Sequence, residues 1–402
     1  MENNNDNKVL NVPPLRFPEF TEEWKAEQLD NIATLSKGIG ISKEQLSEDG
    51  EPCILYGELY TKYKSEIIKQ VESKTDINGS KLKRSKANDV IIPCSGETAV
   101  DIATARCVPF DNILFGGDLN VISLHQYDGA FMSYQLNGKR KYDIARVAQG
   151  VSIVHLYGEH LKAIKTYNPT LPEQQKIAKL LSLLDDRIDT QNKIIEKLQS
   201  LIKGLIDDII TLKCGQLVAF ETLYSKAGEG GTPTTSNTEF YDNGSIPFIK
   251  IDDLSNKYLS ANKDYITELG LKKSSAWLIP THSIIYSNGA TIGAISINKY
   301  PVCTKQGILG IVPNTNIDVE FLYYFMQSSY FQKEVERVVT EGTMKTAYLK
   351  DINHIKCPIP DLDRQKEISH LLSVLSLKED VERQLLQKYQ IQKQYLLRKM
   401  FI

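Results

Sequence analysis

The stretch from Pro172 to Lys213 carries two interleaved apolar columns that predict one long helix. One column has Leu or Ile at positions 181, 188, 195, 202 and 209, and the other at 177, 184, 198, 205 and 212, interrupted by Gln191. Apolar residues in alternating steps of four and three form the seam of a coiled coil. Pro172 suits a first helical position, where its missing N–H has no intrahelical partner. At about 1.5 Å per residue the helix is roughly 60 Å long, too long to lie inside one small domain.

The pattern recurs near the end of the chain. Residues 362–375 (LDRQKEISHLLSVL) are similar in sequence to residues 171–184 (LPEQQKIAKLLSLL). The offset is 191 positions, as between Ile177 and Ile368 (368 − 177). The second copy has the weaker seam, because Glu379, Glu382 and Lys393 occupy columns that are mostly apolar in the first. The chain is therefore predicted to be a duplicated half of the order globular–helix–globular–helix. The two helices are predicted to pair with each other.

The two globular segments share a frame of turns but differ in their loops. Residues 246–251 match 51–56, 284–291 match 91–98, 321–324 match 131–134 and 341–343 match 149–151. Short apolar runs between these turns indicate mixed α/β domains, and similar frames with different loops favour two related recognition tasks. We predict an α+β fold: two duplicated mixed α/β domains separated by two long helices that form an intramolecular antiparallel coiled coil. The predicted boundaries are a disordered tail at 1–14, domains at 15–171 and 214–361, and helices at 172–213 and 362–402.

Composition indicates a cytoplasmic, non-membrane protein and excludes several enzyme classes. The chain lacks a run of about 18 apolar residues and an apolar signal core. Its six cysteines show no Cys-x-x-Cys spacing, which favours buried reduced thiols. The glycine-rich stretch at 228–233 lacks the Gly-Lys-Ser/Thr of a phosphate-binding loop, and His155 and His160 are the nearest approach to metal-ligand spacing. An autonomous methyltransferase or nuclease is therefore disfavoured, and we expect no catalytic residues and no metal site.

DNA is the favoured ligand despite a net charge of −2. Basic clusters at 81–86, 139–141 and 272–273 fall on both duplicated domains, which favours DNA over isolated solvated loops. Polar residues beside the repeated glycines offer hydrogen bonds to base edges and phosphates. Each residue taken alone is equally compatible with a turn or surface role. The candidate DNA-binding residues are Tyr56, Tyr60, Lys81, Lys83, Arg84, Lys86, Ser95, Glu97, Thr98, Lys139, Arg140, Lys141, Lys250, Tyr258, Lys272, Lys273, Ser287, Asn288, Thr291, Lys305, Gln306, Lys345 and Thr346.

Four stretches together resemble the specificity subunits of Type I restriction–modification enzymes. They are the lead-in 15–25 (LRFPEFTEEWK), the turn and strand at 230–233 (GGTP) and 246–248 (IPF), the glycine turn 288–293 (NGATIG), and the helix entries at 172–177 and 358–368. The resemblance spans essentially the whole chain. The first half departs from the family pattern, since Ile39-Gly-Ile lacks the Thr-Pro and Ser95-Gly-Glu-Thr lacks the second glycine.

The resemblance implies a division of labour. Each domain would be a target recognition domain that reads one half of a bipartite double-stranded DNA motif, and the paired helices would set the spacing. The subunit itself would carry no cofactor. It would bind two methyltransferase subunits, which use S-adenosylmethionine to methylate adenine, and restriction/translocase subunits that use ATP and Mg. An extra apolar column beside the seam, Leu180, Ile194 and Leu201, is predicted to dock the methyltransferase. The alternative is a coiled-coil protein-interaction scaffold without DNA specificity, which would self-associate and show no salt-sensitive DNA binding.

Overall fold

The computed structural model describes residues 11–211, 215–259, 261–289, 291–339 and 345–402, and for 209–211 the backbone alone. The chain divides into two compact units. Unit 1 comprises residues up to 192 together with 384–402, and unit 2 comprises residues 193–383. Each long helix therefore contributes one part to each unit.

Unit 1 is a mixed α/β domain of short strands. Its strands are β1 (Lys25–Gln28), β2 (Ala33–Lys37), β3 (Glu51–Ile54), β4 (Lys74–Thr75), β5 (Lys83–Arg84), β6 (Asp89–Pro93), β7 (Ser95–Gly96), β8 (Arg106–Val108), β9 (Leu114–Phe115), β10 (Leu119–Leu124), β11 (Val154–His155) and β12 (Lys165–Asn168). Its helices are α1 (Leu29–Ile32), α2 (Glu58–Thr61), α3 (Ala99–Ile102), α4 (Gly129–Asn137), α5 (Lys141–Val147), α6 (Gly158–Lys162) and the first part of α7 (Leu171–Thr211).

The central sheet of unit 1 has the order β2-β10-β6-β8, and all its neighbours are antiparallel. A second sheet, β4-β3-β9-β5, contains one parallel pair, β3 with β9. Buried Val90 and Ile92 on one face of β6 pack with Met132 and Leu136 of α4, and Ile91 on the other face packs with Phe115. Alternating faces of one strand thus serve two cores, which explains why β6 is a continuous apolar run.

Unit 2 repeats this plan. Its strands are β13 (Gln216–Ala219), β14 (Tyr224–Glu229), β15 (Ile246–Ile249), β16 (Tyr258–Leu259), β17 (Asp264–Ile266), β18 (Ile284–Ser287), β19 (Ile295–Asn298), β20 (Cys303–Thr304), β21 (Ile308–Pro313) and β22 (Lys356–Ile359). Its helices are α8 (Glu268–Lys272), α9 (Val319–Phe325), α10 (Ser329–Val338), α11 (Leu349–Ile352) and the first part of α12 (Leu362–Lys399). The sheet order β14-β21-β18-β19-β16 matches that of unit 1, with β16 added at one edge.

The same strand pair closes each domain beside its long helix. In unit 1, β1 pairs antiparallel with β12, which leads directly into α7. In unit 2, β13 pairs antiparallel with β22, which leads into α12. The predicted duplication, with two mixed α/β domains, is therefore confirmed.

The long helices pair antiparallel within each unit. In unit 1, the first turns of α7, with Ile177 and Leu181, share a core with Leu397 and Met400 at the end of α12. In unit 2, Ile206 of α7 shares a core with Ile368 and Leu372 at the start of α12. The helix predicted at 172–213 spans Leu171–Thr211, and its last two positions lie outside the described residues. The predicted coiled coil is therefore confirmed within each unit.

A glutamine in the first turns of each helix ties it to its domain. Gln174 accepts a hydrogen bond from the Asp128 N–H at 2.9 Å and donates to the Pro169 carbonyl at 2.8 Å. Gln365 accepts from the Asp318 N–H at 2.8 Å and donates to the Pro360 carbonyl at 2.8 Å. Asp128 and Asp318 are themselves the N-caps of α4 and α9. The anchor is thus the same in both repeats.

A buried charge network reinforces the helix pair in unit 1. Lys393 of α12 forms ion pairs with Asp185 of α7 at 2.6 Å and with Glu66 at 2.5 Å. Tyr134 of α4 donates to the second oxygen of Asp185 at 2.6 Å. The two carboxylates raise the pKa of Lys393 against the effect of its burial, whereas burial raises the pKa of Asp185 against the effect of Lys393. Lys393 therefore occupies a mostly apolar column of the coiled coil because it pairs with two buried carboxylates.

The lead-in is part of the fold from residue 11 onward. Buried Glu173 accepts two hydrogen bonds of 2.7 Å from Arg16 and one of 3.3 Å from the Trp24 indole. Trp24 N–H donates to the Asn11 carbonyl at 2.9 Å, and Pro13 is buried. This corrects the prediction of a disordered tail for residues 11–14, because a local hydrogen bond and burial hold them. Residues 1–10 of that tail lie outside the described residues.

Three chemical features concern the described residues as a whole. The five cysteines among them are buried and free, and burial raises the pKa of Cys53 to about 11 and that of Cys107 to about 12. Cys214 falls outside this part of the chain. Within the described ranges no group of three His, Cys, Asp or Glu side chains is placed to hold a metal ion. Among the same residues, no helix is long and apolar enough to cross a membrane.

Candidate DNA-binding loops

The principal cavity of unit 1 lies where the repeated glycine turn follows β6. It has a volume of about 690 Å³ and contains Tyr56, Tyr60, Ser95 and Glu97 from the predicted set. We call it the tyrosine cavity. Its remaining lining residues are Gly57, Leu59, Thr61, Gly96, Asp101, Thr104, Arg106, Ser152 and Ile153. Four residues predicted separately from the sequence are thus brought together.

Short strands and a close contact fix the shape of this cavity. β7 pairs with β11, so that Ser95 and Gly96 lie opposite His155 and Val154. The Tyr60 hydroxyl donates to the Ser95 carbonyl at 3.2 Å, and a Cβ on Gly96 would lie 2.9 Å from that hydroxyl oxygen. A side chain at residue 96 would therefore displace the Tyr60 hydroxyl.

Arg106 forms the floor of the tyrosine cavity. Its guanidinium is buried and donates to the carbonyls of Tyr63 at 2.8 Å, Ala105 at 3.0 Å and Leu59 at 3.4 Å. Burial lowers the pKa of Arg106, opposed by the charges of Glu66 and Asp185. Since the carbonyls of Leu59 and Tyr63 lie in and just after α2, the arginine holds the segment that follows Tyr56 and contains Tyr60. The sequence did not reveal this role, because Arg106 lies inside an apolar run.

Thr98 has a structural role beside its predicted DNA contact. As the N-cap of α3 it accepts from the Asp101 N–H at 3.1 Å, and its hydroxyl donates to the Asp101 carboxylate at 2.6 Å. The Glu97 side chain is exposed and makes no hydrogen bond or ion pair within the described part of the chain. Both side chains are exposed, and Glu97 is the one without a partner in the described fold.

The first basic cluster lies at the other end of β6. Lys83 and Lys86 line a second cavity of about 350 Å³ together with His125 and Ser36, which we call the lysine cavity. Lys81 is exposed nearby. Since β6 has five residues, the two cavities are separated by roughly 13 Å along the strand. The cluster is therefore set apart from the turn at 95–98.

Two arginines of the predicted set hold the fold together. Arg84 binds Glu51 through two hydrogen bonds of 2.6 and 3.0 Å. Arg140 donates to the Ile402 carbonyl at 3.0 Å and pairs with Asp143 at 3.1 Å. Both guanidiniums already have partners in the protein, and their contact with DNA stays a prediction. The neighbouring Lys139 is exposed and Lys141 half-buried.

In unit 2, the glycine turn presents different residues from those predicted. Ser287 and Asn288 are 0% and 1% exposed. The Asn288 amide donates to the Ala347 carbonyl at 3.1 Å, and its carbonyl accepts from the Ala347 N–H at 2.9 Å. Burial corrects their assignment to base contacts: Asn288 joins two loops from inside, and the buried Ser287 hydroxyl makes no hydrogen bond within the described part of the chain. This junction places Thr346 and the exposed Lys345 beside the glycine turn.

A third loop joins this surface of unit 2. The Gly307 N–H donates to the Glu229 carboxylate at 2.7 Å, and the Gln306 N–H donates to the Thr232 hydroxyl at 3.4 Å. The Asn288 N–H donates to the Gly307 carbonyl at 3.1 Å. Lys305 and Gln306 therefore lie exposed next to the turn that contains exposed Thr291. The sequence did not single out Glu229, which organises this loop from 78 positions away.

The remaining candidates of unit 2 differ in their surroundings. Tyr258 binds Glu320 and lies under Lys257 and Lys299, in a network that reaches Ser373 of α12. Its hydroxyl is used in the domain–helix contact, and its role in DNA binding stays a prediction. Lys250 pairs with Asp264 at 2.8 Å and follows Ile249, whose carbonyl accepts from the Lys305 N–H at 3.0 Å. Lys272 and Lys273 are exposed at the end of α8.

The predicted docking column is split between core and surface. Leu180 is half-buried against the unit 1 core that contains Trp24. Ile194 and Leu201 are exposed, and in unit 2 they are accompanied by exposed apolar residues on α12 that the sequence analysis did not single out: Leu371, Val374, Leu377 and Val381. At 100° per residue these four lie within about 120° of one helix face. Leu180 therefore packs partly against the core, and its docking role stays a prediction.

Comparison with known proteins decides the family. A family model described as "Type I restriction modification DNA specificity domain" matches residues 21–200 and again 224–389. This chain belongs to that family. The two matched segments correspond to the two domains and the helices that follow them, so each repeat is one specificity domain.

Relatives and solved structures agree with this assignment. The chain is 30% identical over 172 residues to the EcoR124I/EcoR124II specificity subunit of Escherichia coli, covering 41% of this chain and 42% of that protein. It is 24% identical over 415 residues to the MjaVIII specificity subunit of Methanocaldococcus jannaschii, covering 94% and 91%. The match to the first relative thus spans less than half of its length. The fold resembles the Type I S subunit from M. genitalium, with a TM-score of 0.61, 18% identity and coverage of 97% and 99%.

Proposed function

We propose that this chain is the specificity subunit of a Type I restriction–modification complex and reads a bipartite double-stranded DNA motif. The observation that carries the proposal is the double match to a DNA specificity domain, one match for each repeat. In this proposal each unit reads one half-site with the loops that converge on its glycine turn. The chain itself supplies recognition and no catalytic group.

The available side chains suit two kinds of DNA contact. Exposed lysines that are free of ion pairs in the described residues, among them Lys81, Lys86, Lys305 and Lys345, would contact phosphates and fix the register. Glu97 and Gln306 would contact base edges, since carboxylate and amide groups discriminate bases in the major groove. Residues that the fold already uses, such as Arg84 and Asn288, are left out of this set.

The proposal also assigns the chemistry to partner proteins. Two methyltransferase subunits would carry S-adenosylmethionine and methylate adenine, and restriction/translocase subunits would use ATP and Mg. We propose that the exposed apolar face formed by Ile194 and Leu201 of α7 and by Leu371, Val374, Leu377 and Val381 of α12 contributes to methyltransferase docking. An apolar face of this kind is more typical of a protein interface than of a free surface.

The test of the function is a genome-wide map of N6-methyladenine in host cells with and without this gene. Loss of methylation at one split motif of the form half-site, fixed gap, half-site supports the proposal and identifies the target. A purified chain that self-associates, binds no methyltransferase and shows no salt-sensitive DNA binding would favour the scaffold alternative.

Docking is tested by charging the apolar face. Ile194→Glu and Leu201→Glu should abolish co-purification of the methyltransferase while the far-UV circular dichroism of the chain stays unchanged. Gln199→Glu is the matched control, because it adds a carboxylate at an exposed polar position of the same helix. Normal co-purification of both apolar variants would refute this docking face.

A further inference from the structure

We infer that the tyrosine cavity of unit 1 is a base-reading pocket, in which Glu97 accepts a hydrogen bond from the exocyclic amino group of an adenine or cytosine. This inference rests on the proposed DNA-binding function and goes beyond it, because it assigns a chemical group on the DNA to one side chain. It also predicts that the two half-sites are read by different chemistry.

The shape of the cavity suits the edge of a base. Its volume is about 690 Å³, and Tyr56 and Tyr60 are 39% and 36% exposed on its wall. Ile153 at the rim is 60% exposed, and Val151 in the same loop is 97% exposed. Protruding apolar side chains contribute nothing to the core of the domain, whereas they offer contact to thymine methyl groups beside the base that is read.

The backbone of Glu97 is held in place, and its carboxylate is unpaired. Its backbone lies between β7, which is paired to β11, and Thr98, the N-cap of α3. Its side chain has no hydrogen-bond or ion-pair partner among the described residues, whereas neighbouring Asp101 accepts from Thr98 at 2.6 Å. A rigid backbone with a free acceptor is the arrangement expected of a residue whose partner is a ligand.

Electrostatics determines what this partner is. A carboxylate accepts hydrogen bonds and cannot donate them, and it is repelled by phosphates. On a DNA-reading surface it is therefore unfavourable unless it meets a donor, and in the major groove the donors are the amino groups of cytosine and adenine. The buried Arg106 on the cavity floor donates to backbone carbonyls, so its positive charge is present without neutralising Glu97 directly.

The second repeat lacks this acceptor. In the repeat frame Gly96 corresponds to Gly289 and Thr98 to Thr291, so Ala290 stands at the place of Glu97 in the sequence. The exposed side chains around the unit 2 turn include Thr291, Lys305, Gln306 and Lys345, and the nearby carboxylate of Glu229 already accepts from the Gly307 N–H at 2.7 Å. An unpaired carboxylate in one unit, and lysines with a backbone-bound carboxylate in the other, imply different base preferences for the two halves of the target.

The experiment uses the full chain in complex with its methyltransferase. The methylated motif is mapped for the wild type and for Glu97→Ala, Glu97→Gln and the control Glu48→Ala, which removes an exposed carboxylate of unit 1 outside the cavity. Glu97→Ala should reduce discrimination at one base pair of one half-site by about 5- to 150-fold. Glu97→Gln should retain part of the preference through its amide oxygen, and Glu48→Ala should leave the motif unchanged.

A chemical probe then identifies the contacted group. Duplexes that carry N4-methylcytosine or N6-methyladenine at the affected base pair should bind the wild-type complex more weakly, but the Glu97→Ala complex equally well. An unchanged motif in Glu97→Ala, or equal weakening on all sequences, overturns the inference while leaving the proposed function intact. A wild-type complex that binds no split motif overturns both.

Discussion

The buried charge network of unit 1 allows a quantitative test of how the helix pair is held. Lys393→Met removes the cation that pairs with Asp185 at 2.6 Å and Glu66 at 2.5 Å, while both carboxylates stay buried. Breaking a buried ion pair by removing one partner typically costs about 3–5 kcal/mol, because the remaining charge is uncompensated. We therefore expect Lys393→Met to lower the free energy of unfolding of unit 1 by about that amount.

Two further variants separate burial from pairing. Lys69 pairs with Asp186 and Asp189 on the surface, with about 43% of its side chain exposed, so Lys69→Met should cost only about 0–1 kcal/mol. Combining Lys393→Met with Asp185→Asn and Glu66→Gln removes all three charges and keeps an amide oxygen that can accept from Tyr134. This triple variant should recover most of the loss, since replacing a buried ionic cluster by neutral groups is often nearly neutral.

The loss must also depend on pH. Burial raises the pKa of Asp185 and Lys393 opposes this shift, so removing the lysine raises that pKa further. Protonation then favours the folded state, and the deficit of Lys393→Met should shrink as pH falls from about 7.5 to about 5. In the wild type the pKa of Lys393 is raised, so its contribution is present below its unfolded pKa and is lost at higher pH.

The assay is urea unfolding followed by tryptophan fluorescence. The chain has two tryptophans, Trp24 in unit 1 and Trp277 in unit 2. A Trp277→Phe background leaves Trp24 to report on unit 1 alone. If Lys393→Met costs no more than Lys69→Met, or if its deficit does not change with pH, the reasoning about a buried network is refuted.

Three further predictions concern the anchors and the loops. Gln174→Ala should destabilise unit 1 and Gln365→Ala unit 2, each by about 1–3 kcal/mol, because a buried N–H and a carbonyl lose their partner. If either variant lowered the stability of both units equally, the prediction would be wrong. Gly96→Ala should weaken DNA binding without unfolding unit 1, since its Cβ meets a tyrosine hydroxyl at 2.9 Å; unchanged affinity would contradict it. Lys305→Ala and Lys345→Ala should each reduce the salt slope of binding by about 0.9 for a lost phosphate contact, with no change of motif.

The long helices and the duplication could be predicted from the sequence because their signals are periodic. The first helix was expected at 172–213 and spans Leu171–Thr211 in the described residues. The repeat of Gln174 at Gln365 even preserves the anchor to the domain. Period and repetition are properties of the linear chain, so no three-dimensional information was needed to find them.

The sequence could not show in the same way which charged and polar side chains bond within the protein and which are left to contact a ligand. Arg84 and Lys86 belong to one basic cluster, yet Arg84 is bound by Glu51, 33 positions earlier. Asn288 and Thr291 belong to one polar turn, yet Asn288 is buried against Ala347, 59 positions later. Such partners are set by tertiary contacts, which leave no local signal in the sequence.

The weaker seam of the second helix has a physical explanation that composition alone could not supply. Lys393 is polar because it pairs with buried acids in unit 1. Val374 and Val381 are apolar but exposed, and they lie on a face that does not pack into the unit 2 core. One helix therefore combines internal charge with external apolar surface, the reverse of the usual pattern.

In both repeats a tyrosine hydroxyl links the domain to a long helix, but the hydrogen-bond partners differ. The effect of this difference on stability can be measured. Tyr134 and Tyr324 occupy equivalent positions, but Tyr134 donates to the buried carboxylate of Asp185 at 2.6 Å, whereas the Tyr324 hydroxyl meets the Ser376 hydroxyl at 3.1 Å and accepts from the Lys257 ammonium at 3.2 Å. Hydrogen bonds to charged groups contribute about 1.5–3 kcal/mol, and the bond to Asp185 is shorter and its charged partner more deeply buried than Lys257. Tyr134→Phe should therefore destabilise unit 1 more than Tyr324→Phe destabilises unit 2, with Trp24 and Trp277 as separate reporters. Equal losses would mean that the shorter and more buried bond to Asp185 adds nothing beyond what the bond to Lys257 gives Tyr324.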